Sequence, residues 1–230
     1  EASIALLKKS GIAPEETIFT EIGAEPEAAL LRDCEHPFKA METVRIGQPA
    51  VIEGKRVLFS NELFDAQPFQ SIVFTNGSWR ERVVEISDEG LRFSTRRPFS
   101  PDVLEILPEA PDPAPESYTI DLPTQTAPLL ASHLEQNWTG AFIAFDYGKT
   151  WQALTHDFPQ GTARAYSRHR QKPQLLDDPG QQDLTLHICW DWLEQTLAAH
   201  AFRDIQLLSQ EAFFVHQAPQ LLQKAFSPEN

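Results

Sequence analysis

Glu62 and Asp65 are two carboxylates three residues apart, with the amide of Asn61 immediately before them. They follow Val57-Leu58-Phe59, a short apolar run of the kind that forms a strand buried on both faces of a parallel sheet. Ligands of open α/β sheets bind beyond the carboxyl ends of the strands. A strand that releases an amide and two acids there is a site candidate. One helical turn would place both carboxylates on the same side. The competing expectation is a helix start capped by Ser60 or Asn61, with Glu62 favoured by the helix dipole.

The same grammar recurs twice. Gly140-Ala141-Phe142-Ile143-Ala144-Phe145 ends in Asp146-Tyr147-Gly148, a buried strand with a carboxylate and then a glycine. Thr17-Ile18-Phe19-Thr20-Glu21-Ile22-Gly23 alternates as a strand, and a helix over 24–31 follows, with Pro26 suited to its first turn. Strand, glycine turn and helix N-terminus form the skeleton of a nucleotide-type site. Glu25 and Glu27 make this turn hostile to phosphate but open to a neutral or cationic ligand.

Residues 149–187 are long and short of periodic structure, which in a compact domain marks a functional loop. Within them Gly161-Thr162-Ala163-Arg164-Ala165-Tyr166-Ser167-Arg168-His169-Arg170 is the densest positive stretch of the chain, and Asp178-Pro179-Gly180-Gln181-Gln182-Asp183-Leu184-Thr185 follows it. Arginines here are expected in a solvated loop paired with nearby acids, or as part of a functional loop.

The remaining elements must position these groups. Residues 2–10 read as a helix with Ile4, Leu6 and Leu7 inward and Gly11 as its stop. A short strand fits Thr43–Ile46. Ser71–Phe74, Asn76-Gly77 and Trp79–Ile86 predict a hairpin with a two-residue turn. Leu91–Ser94 adds a third strand, so that 70–97 reads as an antiparallel β-meander inserted in an α/β core. Trp79 belongs to its packing rather than to a ligand. Pro108, Pro111, Pro113 and Pro115 mark an exposed connection over 108–117. Tyr118–Asp121 reads as strand and 124–137 as helix. Asp191 with Glu194 resembles a capping box. Ile205–Leu208 reads as strand, and Ser209 opens a last helix.

The 230 residues suit one domain over 1–230 with these insertions. A formal charge of −14 argues against a phosphate-backbone binder and against an anionic membrane surface, and fits a cationic substrate or partner better. Cys34 and Cys189 make no metal-ligand spacing with the seven histidines, so no structural zinc is expected. No run of about 18 apolar residues predicts a membrane span. The beginning of the chain has no signal-peptide pattern, and a cytoplasmic location is expected.

Together, Ser60–Ala66, Phe145–Gly148, Gly161–Arg170 and Asp178–Thr185 resemble, in this order, the MidA-like family of class I methyltransferases that depend on S-adenosyl-L-methionine. The resemblance spans about residues 17–217. It implies a Rossmann-like sheet with helices on both faces, and methyl transfer to an arginine of a protein substrate. It places Glu21 and Gly23 at the first strand and turn, beside the methionine part of the cofactor. Asn61 and Glu62 fall beside the transferring methyl. Glu62 and Asp65 become the guanidinium clamp, with Asp146 as a further acid and Tyr147 or Tyr166 as a pocket wall. Arg164 and His169 hold the lid or pair with Asp183. The family's glycine-rich turn, Glu-x-Gly-x-Gly-x-Gly, survives here only as Glu21-Ile22-Gly23-Ala24-Glu25-Pro26-Glu27. The alternative expectation is therefore an assembly or binding factor of the same fold with a degenerate cofactor turn.

Overall fold

The structure, a computed structural model, describes residues 4, 7, 11–22, 32–45, 50–217, 219 and 222–223. The chain divides into two units, Glu1–Ile52 with Gln206–Asn230, and Glu53–Ile205.

In the first unit Ile4 and Leu7 are helical and Leu7 is buried. Gly11, at φ +70°, ends that segment where Ile12 N donates to Leu7 O at 2.9 Å. Left-handed backbone is the usual helix stop, and glycine adopts it without steric cost. After a 3-10 turn at Pro14–Glu16, β1 (Ile18–Ile22) pairs in parallel with β2 (Ala40–Val44), Ile18 opposite Ala40 and Ile22 opposite Val44. The second strand therefore starts three residues before the expected Thr43. Gly23 and the expected helix over 24–31 lie outside the described residues. A helix over Gln210–Gln217 follows Ser209, whose carbonyl accepts from Phe213 N. The strand expected at Ile205–Leu208 does not form. Its apolar pattern is satisfied by no neighbouring strand among the described residues, and periodicity alone cannot supply one.

The second unit opens with β3 (Gly54–Asn61). Next come β4 (Gln70–Thr75), β5 (Ser78–Ser87) and β6 (Gly90–Arg96), running antiparallel as the Asn76-Gly77 turn predicts. Helix α1 (Pro101–Ile106) leads to β7 (Thr119–Leu122), which joins the free side of β4, so the meander sheet has four strands in the order β6-β5-β4-β7. Its core is Ile72, Phe74, Trp79, Val103, Tyr118, Ile120 and Leu122. A fully buried Ile or Leu contributes about 1.5–3 kcal/mol, enough for this cluster to anchor the sheet. Trp79 is core, as expected, and its indole N–H donates to Pro111 O at 2.9 Å. The proline-rich connection is thereby held against the meander.

Helix α2 (Thr126–Leu134) precedes β8 (Trp138–Phe145). β8 runs parallel to β3 in unbroken register from Gly54 opposite Trp138 to Asn61 opposite Phe145. Gly140, at φ +146°, lies against Arg56, whose carbonyl oxygen would be 1.9 Å from any added Cβ. β9 (Gly148–Lys149) then pairs in parallel with β13 (Ile188–Cys189), which leads into α4 (Trp190–Ala199). Phe64, Leu130, Leu134, Ile188 and Leu193 form a second core, against which Phe142 and Ala144 of β8 pack. On the opposite face of the pair Phe59 and Phe145 meet edge to face at 5.4 Å, and Phe59 is 53% exposed.

Several expectations change here. β3 buries only Ser60, so its apolar run is covered on one side rather than two. The α/β class holds, but the parallel strands form separate pairs, β1–β2, β3–β8 and β9–β13, rather than one continuous sheet among the described residues. Composition marks a strand as apolar without stating which strand lies beside it. The 149–187 segment is also built rather than loose. It holds α3 (Trp151–His156) and a small sheet, β11 (Arg170–Lys172), β10 (Arg164–Ser167) and β12 (Asp183–Thr185), in that order. Polar strands of three or four residues are too short to show periodicity. Asp191 is not a helix cap either. Cys189 occupies that position, and the Asp191 carboxylate accepts Trp151 N at 2.7 Å.

Candidate active site

The carboxyl ends of β3 and β8 lie side by side, which brings Asn61 and Glu62 next to Phe145 and Asp146. Glu62 N donates to Phe145 O at 2.8 Å, one bond beyond the ladder. No helix follows β3. Glu62 instead takes a left-handed conformation, φ +49°, and the chain turns through 62–66. Neither capping by Ser60 or Asn61 nor a helical i, i+3 relation therefore brings the acids together.

Asp146 shapes the turn. Its Oδ2 accepts Phe64 N at 2.9 Å, and its Oδ1 accepts Asp65 N and Tyr147 N, each at 3.1 Å. Both carboxylate oxygens are engaged by backbone amides, so Asp146 holds the acidic turn in place rather than standing free as a further acid. Burial raises its carboxyl above the ordinary range, against the lowering effect of those amides.

Asp65 is the consequence of this arrangement. It is 3% exposed, and its Oδ1 is buried without a hydrogen-bond partner. Burial pushes its carboxyl up to about 6, and the nearby charges of Asp146 and Glu62 add to the rise. A buried oxygen with no donor is costly to retain, and a cationic ligand would supply the missing donor. Glu62 and Asn61 are exposed beside it. Tyr147 stands at the same edge, 61% exposed.

The positive stretch is arranged differently from the expectation. Arg164 Nη1 donates to Ala163 O at 2.7 Å and Gly161 O at 3.4 Å, gripping its own loop. Arg168 and His169 form the turn between β10 and β11, both in the left-handed region at φ +51° and +60°. Tyr166 is half-buried opposite Asp183 in the β10–β12 register. No ion pair joins Arg164 or His169 to Asp183 among the described residues. A backbone bond connects this region to the acidic turn, Leu186 N donating to Asp65 O at 3.0 Å.

Glu21 lies half-buried on β1 in the first unit, and Gly23 is outside the described residues. Sequence reasoning missed Asp121 and His187. Asp121 is 3% exposed and binds the amides of Thr162 and Ala163. His187 lies edge-on to Phe158, and burial, then Lys149 and Arg164, lowers its pKa. An acid between Ile120 and Leu122, inside an expected strand, was the available signal for Asp121.

Parallel strands ending in a gathered set of carboxylates define an α/β protein with an acidic cluster at the strand ends. Residues 36–206 match the family described as "Putative S-adenosyl-L-methionine-dependent methyltransferase", and the chain belongs to it. S-adenosyl-L-methionine is the cofactor of that family. No curated protein matches the chain. Among solved structures, an uncharacterized superfamily protein from Burkholderia thailandensis shares the fold at TM-score 0.80 and 22% identity, over 100% of this chain and 62% of that one. A superfamily member from the same organism, bound to S-adenosyl-homocysteine, gives TM-score 0.79 and 21% identity over 99% of this chain and 59% of that one. The chain thus spans about three fifths of the length of these solved proteins.

The residues at the β3–β8 edge fit this cofactor. It carries a sulfonium and an ammonium, and the edge presents the exposed carboxylate of Glu62 and carboxamide of Asn61 as acceptors.

Proposed function

We propose that this edge serves methyl transfer to the guanidinium of an arginine in a protein substrate. The observation that carries the reading is the buried, unpartnered Oδ1 of Asp65 beside the Glu62 carboxylate. Asn61 and Glu62 would hold the cofactor, which when bound supplies an electrophilic methyl group. Glu62 and Asp65 orient the guanidinium by charge-assisted bonds, fixing which nitrogen faces the reacting position. The turn held by Asp146 keeps both carboxylates in place before substrate arrives, so little reorganisation is left to the reaction. Above pH 6 Asp65 is ionised and pairs with the cation. Its raised affinity for a proton also suits it to receive the one that the methylated nitrogen sheds. The acidic balance of the chain favours approach of an arginine-bearing polypeptide.

The test is incubation of the full chain with methyl-labelled S-adenosyl-L-methionine and arginine-containing polypeptides, followed by mass spectrometry of the guanidinium. Labelled arginine in wild type, and its loss in Asp65→Asn with cofactor binding retained, is the expected result. Undiminished transfer by Asp65→Asn would remove Asp65 from the mechanism. Calorimetry showing no cofactor binding at millimolar concentration would sink the reading as a whole.

A further inference from the structure

Asp121 lies on β7 of the meander sheet, apart from the acidic turn in sequence and in element. Its Oδ2 accepts two consecutive amides, Thr162 N and Ala163 N, each at 2.9 Å. Its Oδ1 receives Arg82 Nη2 from β5 at 3.4 Å, and Arg82 is itself stacked over Phe93 at 4.4 Å. Gly161 completes the fit. It is left-handed at φ +72°, and a Cβ there would meet Asp121 Oδ2 at 2.1 Å. The segment is further tied to β7 by Thr119 N donating to Pro159 O at 3.0 Å.

The anchored segment then reaches the acidic turn in two steps. Thr162 Oγ1 accepts His187 N at 3.2 Å. The adjacent amide, Leu186 N, donates to Asp65 O at 3.0 Å. Neighbouring backbone groups of one buried strand entry are thus shared between Thr162 and Asp65. We propose that Asp121 is a positioning residue, anchoring Gly161–Ala163 to the meander and, through Thr162 and the Leu186–His187 backbone, holding Asp65 in its buried place. The meander thereby becomes the fixed support of the site rather than an appendage. What Asp65 does chemically rests on the function proposed above; the linkage to Asp121 does not.

The experiment uses the full chain without cofactor or substrate, and reads amide hydrogen exchange together with the NMR titration of the Asp65 carboxyl carbon. Asp121→Ala is expected to speed exchange at Leu186 and His187 roughly tenfold, as loss of a supporting hydrogen bond does, while the β5–β6 amides stay protected. The Asp65 midpoint, near 6 with Asp146 and Glu62 facing it, is expected to move toward the ordinary carboxylate range as its burial loosens. Asp121→Asn keeps an acceptor oxygen and is expected to restore most of both readouts. Gly161→Ala displaces the same segment with Asp121 intact, and stands in if Asp121→Ala fails to fold. Faster exchange at Thr162 and Ala163, with Leu186 exchange and the Asp65 midpoint unchanged, would overturn the proposal. Neither readout depends on methyl transfer, so a failed activity assay leaves this result standing.

Discussion

Asp146 acts on Asp65 in two opposed ways. The Asp146 Oδ1 accepts the amide of Asp65 at 3.1 Å, and so places it. The charge on the same carboxylate helps, after burial, to push the Asp65 carboxyl up to about 6. One side chain therefore both builds the turn and loads its neighbour with electrostatic strain.

Asp65→Asn is expected to stabilise the protein at neutral pH and, under the proposed function, to abolish methyl transfer. The folded carboxyl titrates near 6 against an ordinary 3.8, so the folded state binds its proton more tightly than the unfolded state. Stability therefore falls as pH rises from about 4 to 6, by at most about 3 kcal/mol. Denaturant unfolding at pH 4 and pH 8 checks this: the variant should gain on wild type at pH 8 and show little difference at pH 4.

Asp146→Ala leaves the amides of Phe64, Asp65 and Tyr147 without an acceptor. A loss of about 2–4 kcal/mol is expected from unsatisfied donors in a partly buried turn. Asp146→Asn keeps one acceptor oxygen and removes the charge. Its expected signature is a lower titration midpoint for Asp65, measured by NMR, with a smaller loss of stability.

Gly140→Ala places a methyl group 1.9 Å from the Arg56 carbonyl oxygen, a backbone atom with no freedom to swing away. The pairing of β3 with β8 must shift locally, at a cost of about 1–3 kcal/mol or more, as for other overpacked sites. Equilibrium unfolding measures this cost. Because the same register sets Asn61 opposite Phe145, cofactor affinity measured by calorimetry should fall with it.

Glu81 gives the opposite pH dependence from Asp65. Buried on β5, it accepts Arg96 Nη2 and Ser100 N, each at 2.6 Å. Burial opposes its ionisation, but the Arg96 and Ser100 hydrogen bonds prevail and hold its carboxyl below the ordinary range. Its contribution is present above the usual glutamate pKa and is lost as pH falls through the folded value. Glu81→Gln should therefore destabilise at pH 7 and match wild type more closely at low pH, by thermal unfolding at both.

Local patterns were enough to reveal much of the framework. Asn76-Gly77 between apolar runs specifies a hairpin because few residues tolerate the turn's backbone. The acid-ended runs at 57–65 and 141–146 pointed to neighbouring strand ends, and the structure pairs those strands in parallel with Asn61 opposite Phe145. The order of β10, β11 and β12 was hidden because their strands are short and polar. The helix expected after Ser60 failed because the Asp146 carboxylate satisfies the amides of Phe64 and Asp65 without one.

The sequence by itself determined which polar groups stand at or just beyond the strand ends: the carboxamide of Asn61 and the carboxylates of Glu62, Asp65 and Asp146. Only the tertiary structure decided that Asp146 is spent on backbone amides, that Asp65 keeps a bare buried oxygen, and that Asp121 anchors the loop beside them. The reason is distance along the chain. Asp146 meets Phe64 across 82 residues and Asp121 meets Thr162 across 41. Burial and hydrogen-bond partnership, which decide what a carboxylate can do, are set by those long-range contacts rather than by the residue type.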